Sequence, residues 1–438
     1  MLYNAYQAQA DFLSQARAFA GFTRAFFDQA KFGPSGNLFA RGVSAGTELF
    51  ARAGLIHERP GYDIADVSVA GRDIAVHEET VLETPFAQLL HFRKETDLAQ
   101  PRVLIVAPMA GHFATLLRHT AHTMLADHDV FITDWNNARD IPLAAGRFGT
   151  DEYVEHLIRF IEAMGPGAHA VAVCQPCAAL LTAVAVMAKQ KNPATPRSMT
   201  LMAGPVDASV NPTDVNRFAT RHPISWFKKN LIARVPPRYP GGGRHVYPGF
   251  IQVSAFLSMN PARHIRAQWD LFGHILRGQE QEANANRRFY DDYLAVADLP
   301  AEFYLETVRN VFQEYRLARG TLTYRHEPVD PSAITATVLL TVEGEKDDIC
   351  SVGQTSAALG LCPNVPSKRN YVQPGAGHYG VFSGRRWQHD IYPIVREAIA
   401  TSQWQAREQI GLAGGEREKS PIVREMIAEA DPVSDKSR

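Results

Sequence analysis

The chain of 438 residues carries almost no net charge. Lys and Arg together number 45, and Asp and Glu together number 46. A surface with this balance does not attract the phosphates of a nucleic acid or the headgroups of an anionic membrane. We therefore expect no nucleic-acid partner. The apolar fraction of 45% is that of an ordinary globular protein.

Long apolar segments are also missing. The longest candidate, residues 171–187, is interrupted by Gln175 and Pro176, so we expect no bilayer-spanning helix. The first residues lack a basic segment followed by an apolar one, which is the pattern of a secretory signal. Together these absences predict a cytoplasmic protein.

Cysteine is scarce, which limits disulfide and metal chemistry. A cytoplasmic location predicts that the thiols are reduced. Cys174 and Cys177 form one Cys-x-x-Cys pair, but no second pair completes a zinc site. His119 and His122 have no carboxylate cluster beside them in the sequence. We expect no metal and no other cofactor. The four cysteines are Cys174, Cys177, Cys350 and Cys362.

Residues 5–30 have the periodicity of an amphipathic helix. Recurring side chains follow one another at steps of three and four residues. Their face can pack against the protein's own core or against a second subunit, which would make a homo-oligomer, or it can dock on a hydrophobic surface. The recurring residues are Phe12, Ala16, Phe19, Thr23 and Phe26.

From residue 61 onward, short apolar runs alternate with helical patterns. The continuous apolar run at 103–107 is typical of a strand buried on both faces, and 130–134 is predicted to be the next buried strand. The alternation predicts an α/β fold with a mostly parallel central sheet flanked by helices. It stops near residue 205 and resumes near residue 336, which predicts an inserted, mainly helical lid. The predicted divisions are an N-terminal helical segment at 1–60, the α/β core at 61–210 and 331–405, the lid at 211–330 and a charged C-terminal tail at 406–438.

A thiol marks the strand-to-helix boundary within residues 171–180. A β-branched apolar run ends at Cys174, and a run rich in alanine and leucine begins just after it. A thiolate there is stabilised by the helix dipole and by free backbone N–H groups. In α/β-hydrolases the nucleophile occupies this turn. Ala172 and Pro176 stand where the hydrolase motif Gly-x-Ser-x-Gly has glycines, which leaves open how the turn is accommodated.

Asp347 and His378 follow Cys174 in chain order, each just after a predicted strand. Because the carboxyl ends of parallel strands share one edge of the sheet, the three side chains can meet there. Nucleophile, acid and base in this order are typical of the α/β-hydrolase fold, which we expect here. Asp348 competes with Asp347 for the role of the acid.

These residues predict an acyl-transfer site. His378 would take the thiol proton and later activate water, and Asp347 would hold the imidazole. Cys174 would form a thioester with the acyl group. Alternatively, Cys174 is a buried apolar residue, or it forms a redox pair with Cys177. The predicted oxyanion donors are the backbone N–H groups of Gln175 and of Met109 or Ala110.

The sequence resembles the intracellular poly(3-hydroxybutyrate) depolymerases at motifs spread over residues 1–405. The resemblance implies an ester hydrolase that acts on amorphous polyester granules inside the cell, with the granule surface as its partner. Carried over by position, it assigns Cys174, Asp347 and His378 as the catalytic triad. The matching segments are 1–3, 107–109, 173–176, 203–207, 247–250, 301–307 and 375–382.

The predicted lid is rich in aromatic residues, which suits an apolar polyester with few polar groups. The predicted substrate-binding residues are Trp226, Tyr247 and Phe250 in the lid and His112 on the oxyanion loop.

Two other classes of function compete with hydrolysis. A polyhydroxyalkanoate synthase-like acyltransferase is similar in fold and in its Cys–Asp–His chemistry, but synthases carry Gly-x-Cys-x-Gly and Asp-His-Ile. This chain has Ala-Val-Cys-Gln-Pro at 172–176 and Asp-Asp-Ile at 347–349, which favours hydrolysis. A non-catalytic granule-associated protein or a thiol redox protein would not need the ordered acid and base.

Overall fold

A nine-stranded sheet forms the centre of the computed structural model, which describes residues 2–29, 38–259 and 261–414. The strands of the chain are β1 (Asp66–Val69), β2 (Arg72–Glu83), β3 (Ala87–Lys94), β4 (Arg102–Val106), β5 (Asp129–Trp135), β6 (His169–Val173), β7 (Ser198–Met202), β8 (Ala233–Arg234), β9 (His245–Tyr247), β10 (Leu299–Pro300), β11 (Thr323–Tyr324), β12 (Glu327–Pro328), β13 (Val338–Gly344) and β14 (Lys368–Gln373).

The order of the strands across the sheet is β1-β2-β3-β5-β4-β6-β7-β13-β14. The first three strands and β5 pair antiparallel, and the pairs from β5 to β14 are parallel. β4 and β5 are exchanged relative to their chain order, so the chain winds outward in both directions from the middle of the sheet. This strand order confirms the predicted α/β-hydrolase fold.

Helices cover both faces of the sheet. They are α1 (Leu2–Gln29), α2 (Leu38–Arg52), α3 (Arg118–Leu125), α4 (Thr150–Met164), α5 (Cys177–Lys189), α6 (Asp214–Arg221), α7 (Ile224–Leu231), α8 (Gly249–Met259), α9 (Pro261–Arg277), α10 (Glu280–Tyr293), α11 (Ala301–Thr307), α12 (Ala358–Leu361), α13 (Gly384–Arg386) and α14 (Tyr392–Gly414). None of the described helices is long and apolar enough to cross a membrane.

Alternate residues of β4 explain why this strand is apolar from Val103 to Val106. Leu104 and Val106 face the layer that contains α4 and α5. Val103 and Ile105 face the opposite layer, which contains α3 and α14. Because side chains in a strand alternate between faces, a strand covered on both sides must be apolar at every position.

The chain between β7 and β13 leaves the central sheet. It contains α6 to α11, a three-stranded sheet in the order β10-β9-β8, and the hairpin of β11 and β12. These elements occupy the segment predicted as the lid, and the exact division into domains stays a prediction. Residues 1–60 contain α1 and α2, and α14 continues to Gly414, past the predicted end of the core. The part of the predicted tail at 415–438 lies outside the described residues.

Candidate active site

The turn after β6 holds Cys174 in an unusual backbone conformation. Its φ is +66°, in the left-handed region that side chains other than glycine rarely adopt. Its N–H donates to the carbonyl of Met202 at 2.7 Å, and its carbonyl accepts from Cys177 at 3.2 Å. Such strain persists only where the surrounding structure fixes it, and it is common at active sites. The turn thereby places the thiol at the carboxyl edge of the sheet, three residues before α5.

A glycine on the neighbouring strand accommodates this turn. Pro176 has a φ of −74° and precedes the first turn of α5, where its missing N–H costs little. Ala172 is fully buried in β6. The close contact instead falls on Gly204, just after β7, because a Cβ there would overlap the carbonyl oxygen of Cys174 and the sulfur of Cys177. The sequence gives little sign of this role, since Gly204 lies thirty residues from the turn that it accommodates.

Replacing Gly204 by alanine is expected to destabilise the protein by about 3 kcal/mol, because the new methyl group must displace backbone and not a flexible side chain. Urea denaturation followed by circular dichroism measures this change. Gly46→Ala is the matched control, since no atom lies within 4 Å of a Cβ built there. Equal stability of the two variants would contradict the close packing described at Gly204.

Asp347, His378 and Cys174 form one hydrogen-bonded chain. His378 Nδ1 lies 2.8 Å from Asp347 Oδ2, and His378 Nε2 lies 3.2 Å from Cys174 Sγ. Because an ionised carboxylate only accepts hydrogen bonds, Nδ1 carries the proton in this pair. The other oxygen of Asp347 accepts backbone N–H groups from Ile349 and Cys350, both at 2.9 Å. The carboxylate is thus fixed on both sides and orients the imidazole toward the sulfur.

The charges at this site favour an imidazolium. Burial by itself lowers the pKa of His378, but the carboxylate of Asp347 and the sulfur of Cys174 outweigh burial and raise the pKa well above its usual value. Cys174 Sγ lies 3.2 Å from His378 Nε2, within reach for the proton exchange that nucleophilic catalysis by a cysteine requires. The arrangement is therefore suited to attack on a carbonyl carbon.

Two of the predicted oxyanion residues lie together. The backbone N–H of Met109 donates to the side-chain oxygen of Gln175 at 3.3 Å, so the loop after β4 lies beside the turn at Cys174. Among the described residues, no acceptor is paired with the backbone N–H of Gln175. A substrate oxyanion that replaced the Gln175 amide oxygen would accept from the backbone N–H of Met109. Ala110 is the next residue of the Met109 loop.

A cleft of about 180 Å³ opens beside His378. Aromatic rings from α8 and α10 and from the turn after β14 form much of its wall, together with three charged side chains. Polar and apolar surface contribute about equally to the lining, so the cleft can contact both the polar and the apolar groups of an organic substrate. The aromatic and charged lining residues are Phe256, Phe289, Tyr293, Tyr379, Arg263, Lys346 and Asp348.

His112 lies next to this cleft but does not line it. Its ring is 5.7 Å from Phe256 and 5.0 Å from Tyr293, both measured between ring centroids. Burial lowers the pKa of His112 to about 4, so the ring is neutral at pH 7. Its predicted part in substrate binding would therefore be indirect, through the two aromatic residues that it contacts.

The other three predicted substrate-binding residues lie elsewhere. Trp226 stacks on His222 at 4.3 Å, Tyr247 on Tyr304 at 3.8 Å, and Phe250 on Tyr6 at 3.8 Å, between ring centroids. None of them lines the cleft beside His378. Their role stays a prediction. Phe256, Phe289 and Tyr293 belong to the aromatic residues of the predicted lid, whereas Tyr379 is a cleft residue to which the sequence assigned no role, although it directly follows His378.

The thiol of Cys177 is enclosed in the core. The residue is fully buried, and its sulfur lies 3.6 Å from the carbonyl oxygens of Ala172 and Met202. Burial raises the pKa of this thiol well above its usual value, so it stays protonated. All four cysteines lie in the described part of the chain, and among them only Cys174 is partly exposed. Within the same described residues, no group of three His, Cys, Asp or Glu side chains could hold a metal ion.

Comparisons with known proteins agree with the motif resemblance. Residues 203–403 match the family described as PHB de-polymerase C-terminus, a range that includes Asp347 and His378 but not Cys174. No curated protein matches the chain significantly. The monoacylglycerol lipase of Paleococcus ferrophilus is similar over 69% of this chain and 96% of its own, at 13% identity and a TM-score of 0.41. A thermophilic esterase from Thermogutta terrifontis is similar over 76% and 98%, at 12% identity and a TM-score of 0.39.

Proposed function

We propose that this carboxylic ester hydrolase, whose residues 203–403 belong to the PHB de-polymerase C-terminus family, cleaves amorphous poly(3-hydroxybutyrate) granules inside the cell. We further propose that Cys174 is its nucleophile. The observation that carries the proposal is the hydrogen-bonded chain from Asp347 through His378 to the sulfur of Cys174. This chain provides the acid, base and nucleophile that ester cleavage requires.

Acylation is the first half of the proposed reaction. The Cys174 thiolate attacks the ester carbonyl carbon, and the negative charge moves to the carbonyl oxygen. The backbone N–H groups of Gln175 and Met109 stabilise this oxyanion. When the intermediate collapses, the His378 imidazolium gives its proton to the departing oxygen, which leaves as the hydroxyl end of one polymer fragment. The other fragment stays on Cys174 as a thioester.

Deacylation returns the enzyme to its starting state. His378, now neutral, removes a proton from a water molecule that attacks the thioester carbonyl. Asp347 stabilises the imidazolium that forms in this step. Collapse of the second intermediate breaks the carbon–sulfur bond and releases a carboxylic acid. Each cycle consumes one water and produces one hydroxyl end and one carboxyl end, so no cofactor is needed.

The cleft walls support a methyl-bearing polyester as the substrate. Phe256, Phe289, Tyr293 and Tyr379 line the cleft beside His378, the proposed base. A repeating unit has one ester and one methyl group, so the rings of this mixed lining can contact the methyl group while its polar side chains face the ester.

Incubation of the purified protein with amorphous poly(3-hydroxybutyrate) granules tests the proposal. We expect soluble 3-hydroxybutyrate or its oligomers to appear, because both products of each cleavage become soluble once the fragments are short. Liquid chromatography with mass spectrometry measures them. Chain growth from 3-hydroxybutyryl-coenzyme A without release from granules would instead establish a synthase-like acyltransferase. Hydrolysis of small soluble esters alone would retain the esterase and reject the polyester as its substrate.

A further inference from the structure

Helix α1 carries three phenylalanine rings in water. Phe12, Phe19 and Phe22 are 75%, 74% and 78% exposed. Steps of seven and three residues place them on one face of a helix. We call this face the Phe stripe. Its other exposed members are Ala5, Ala8, Gln9, Gln15 and Ala16.

The Phe stripe carries no charge. The acidic and basic side chains described on α1, within residues 3–23, are Asp11 and Arg17. Asp11 accepts hydrogen bonds from Arg238 on the body of the protein, at 2.9 Å for the shorter contact. The guanidinium of Arg17 lies against Gly54, just after α2. Helices that bind anionic membranes flank their apolar face with Lys and Arg. The surface that fits this stripe is therefore apolar and uncharged.

The helix is fixed to the body and connected with the active-site cleft. The hydroxyl of Tyr3 donates to buried Asp298 at 2.7 Å, and Tyr6 stacks on Phe250 at 3.8 Å. Phe250 belongs to α8, whose residue Phe256 lines the cleft. Six residues of helix span about 9 Å along the axis. Phe250, which contacts α1, and Phe256, which lines the cleft, thus lie at the two ends of one short segment of α8.

The area of the Phe stripe argues against a second copy of the chain as its occupant. A phenylalanine side chain offers about 150–250 Å², so three rings at three-quarters exposure offer about 350–550 Å². A stable interface between two proteins covers about 800 Å² on each partner. The three rings alone cover less than that, but they have the size of a functional surface patch. A solid polymer imposes no such requirement, since any flat apolar region of it can cover the rings.

We propose that the Phe stripe docks the enzyme onto the surface of solid, uncharged polyester and holds the cleft close to chains in that surface. The inference rests on the proposed function, because the polyester is the substrate proposed above. It adds the part of the molecule that binds the particle, at a place distinct from the reacting residues.

The test replaces Phe12, Phe19 and Phe22 together by glutamine, which retains helix propensity. In a Cys174→Ala background, co-sedimentation with amorphous poly(3-hydroxybutyrate) granules measures binding without degradation. We expect the triple variant to bind at least about tenfold more weakly, because each ring loses its burial. With Cys174 present, granule hydrolysis should fall similarly, whereas hydrolysis of p-nitrophenyl butyrate should change by less than about twofold. The matched control replaces Ser14 and Ala18, which are exposed on α1 but lie off the Phe stripe, by glutamine and should behave as the parent.

Equal granule binding by the triple variant and its parent would overturn the proposal. So would a dimer that the triple substitution converts to a monomer without loss of granule binding, because the stripe would then be a subunit interface. If the parent bound phosphatidylglycerol vesicles as tightly as it binds granules, the proposal of a polyester surface would be wrong. The stripe would then be a lipid-binding surface. The parent could bind granules without hydrolysing the polyester. If the triple variant then bound more weakly than the parent, the docking proposal would be supported and only the proposed reaction would be rejected.

Discussion

Replacement of Cys174 by alanine is expected to lower kcat/KM for ester hydrolysis by about 10⁴-fold or more. The substitution removes the sulfur that lies 3.2 Å from His378 Nε2, so no thioester can form. The residual rate would come from water bound beside the oxyanion donors. Initial rates with p-nitrophenyl butyrate and with amorphous granules measure the loss. Mass spectrometry of the quenched parent enzyme should show the acyl group on Cys174.

Cys177→Ala is the control for this experiment. It also removes one thiol from the same turn, but a buried one that packs against Ala172 and Met202. We expect activity within about threefold of the parent and a loss of about 1 kcal/mol in stability from the small cavity. Comparable product release by the parent and Cys174→Ala would eliminate the thioester mechanism. Inactivation by Cys177→Ala in a stably folded protein would favour a function for the thiol pair.

Replacement of Asp347 by asparagine is expected to lower kcat/KM by about 10³- to 10⁴-fold, because the amide no longer holds the correct imidazole tautomer. The pH dependence should change as well. Burial lowers the pKa of His378, and Asp347 is among the groups that raise it. Without the carboxylate, the imidazolium loses its proton at lower pH. The alkaline limb of kcat/KM should therefore move to lower pH, which a pH–rate profile measures.

Asp348→Asn separates the two adjacent carboxylates. Asp348 is exposed at the edge of the cleft, whereas Asp347 is buried and 2.8 Å from the imidazole. We expect Asp348→Asn to retain activity within about threefold and to leave the alkaline limb in place, since an exposed charge is screened by water. If Asp348→Asn were the more damaging substitution, the acid would have been assigned to the wrong residue.

The sheet could be predicted because each of its strands is marked by a short pattern of neighbouring residues in the sequence. The segments 103–107 and 130–134 are short and mostly apolar, with several β-branched residues, and in the structure they coincide closely with β4 and β5, which have helices on both sides. The proposed triad could also be predicted, since Cys174, Asp347 and His378 each follow a strand of the parallel part of the sheet. Strand order then brings them to one edge.

The cleft walls and the packing of Gly204 against the turn at Cys174 could not be predicted, because they depend on contacts between segments that are distant in the sequence. Tyr247 and Phe250 are aromatic residues of the insertion, but composition does not say whether a ring packs inside the protein or faces a substrate. Gly204 could not be connected with Cys174 from the sequence, because their contact depends on the register that pairs Val173 with Met202. Such register is decided by the packing of the whole sheet.

Because the four thiols differ in burial, the proposed nucleophile should be open to selective chemical labelling. Cys350 and Cys362 are buried like Cys177, whereas Cys174 is partly exposed and lies 3.2 Å from His378 Nε2. A haloacetamide should therefore alkylate one site per folded chain long before it reaches the others, since alkylation needs an accessible thiolate. Active-site titration then becomes simple: the amount of label incorporated counts the competent molecules in any preparation.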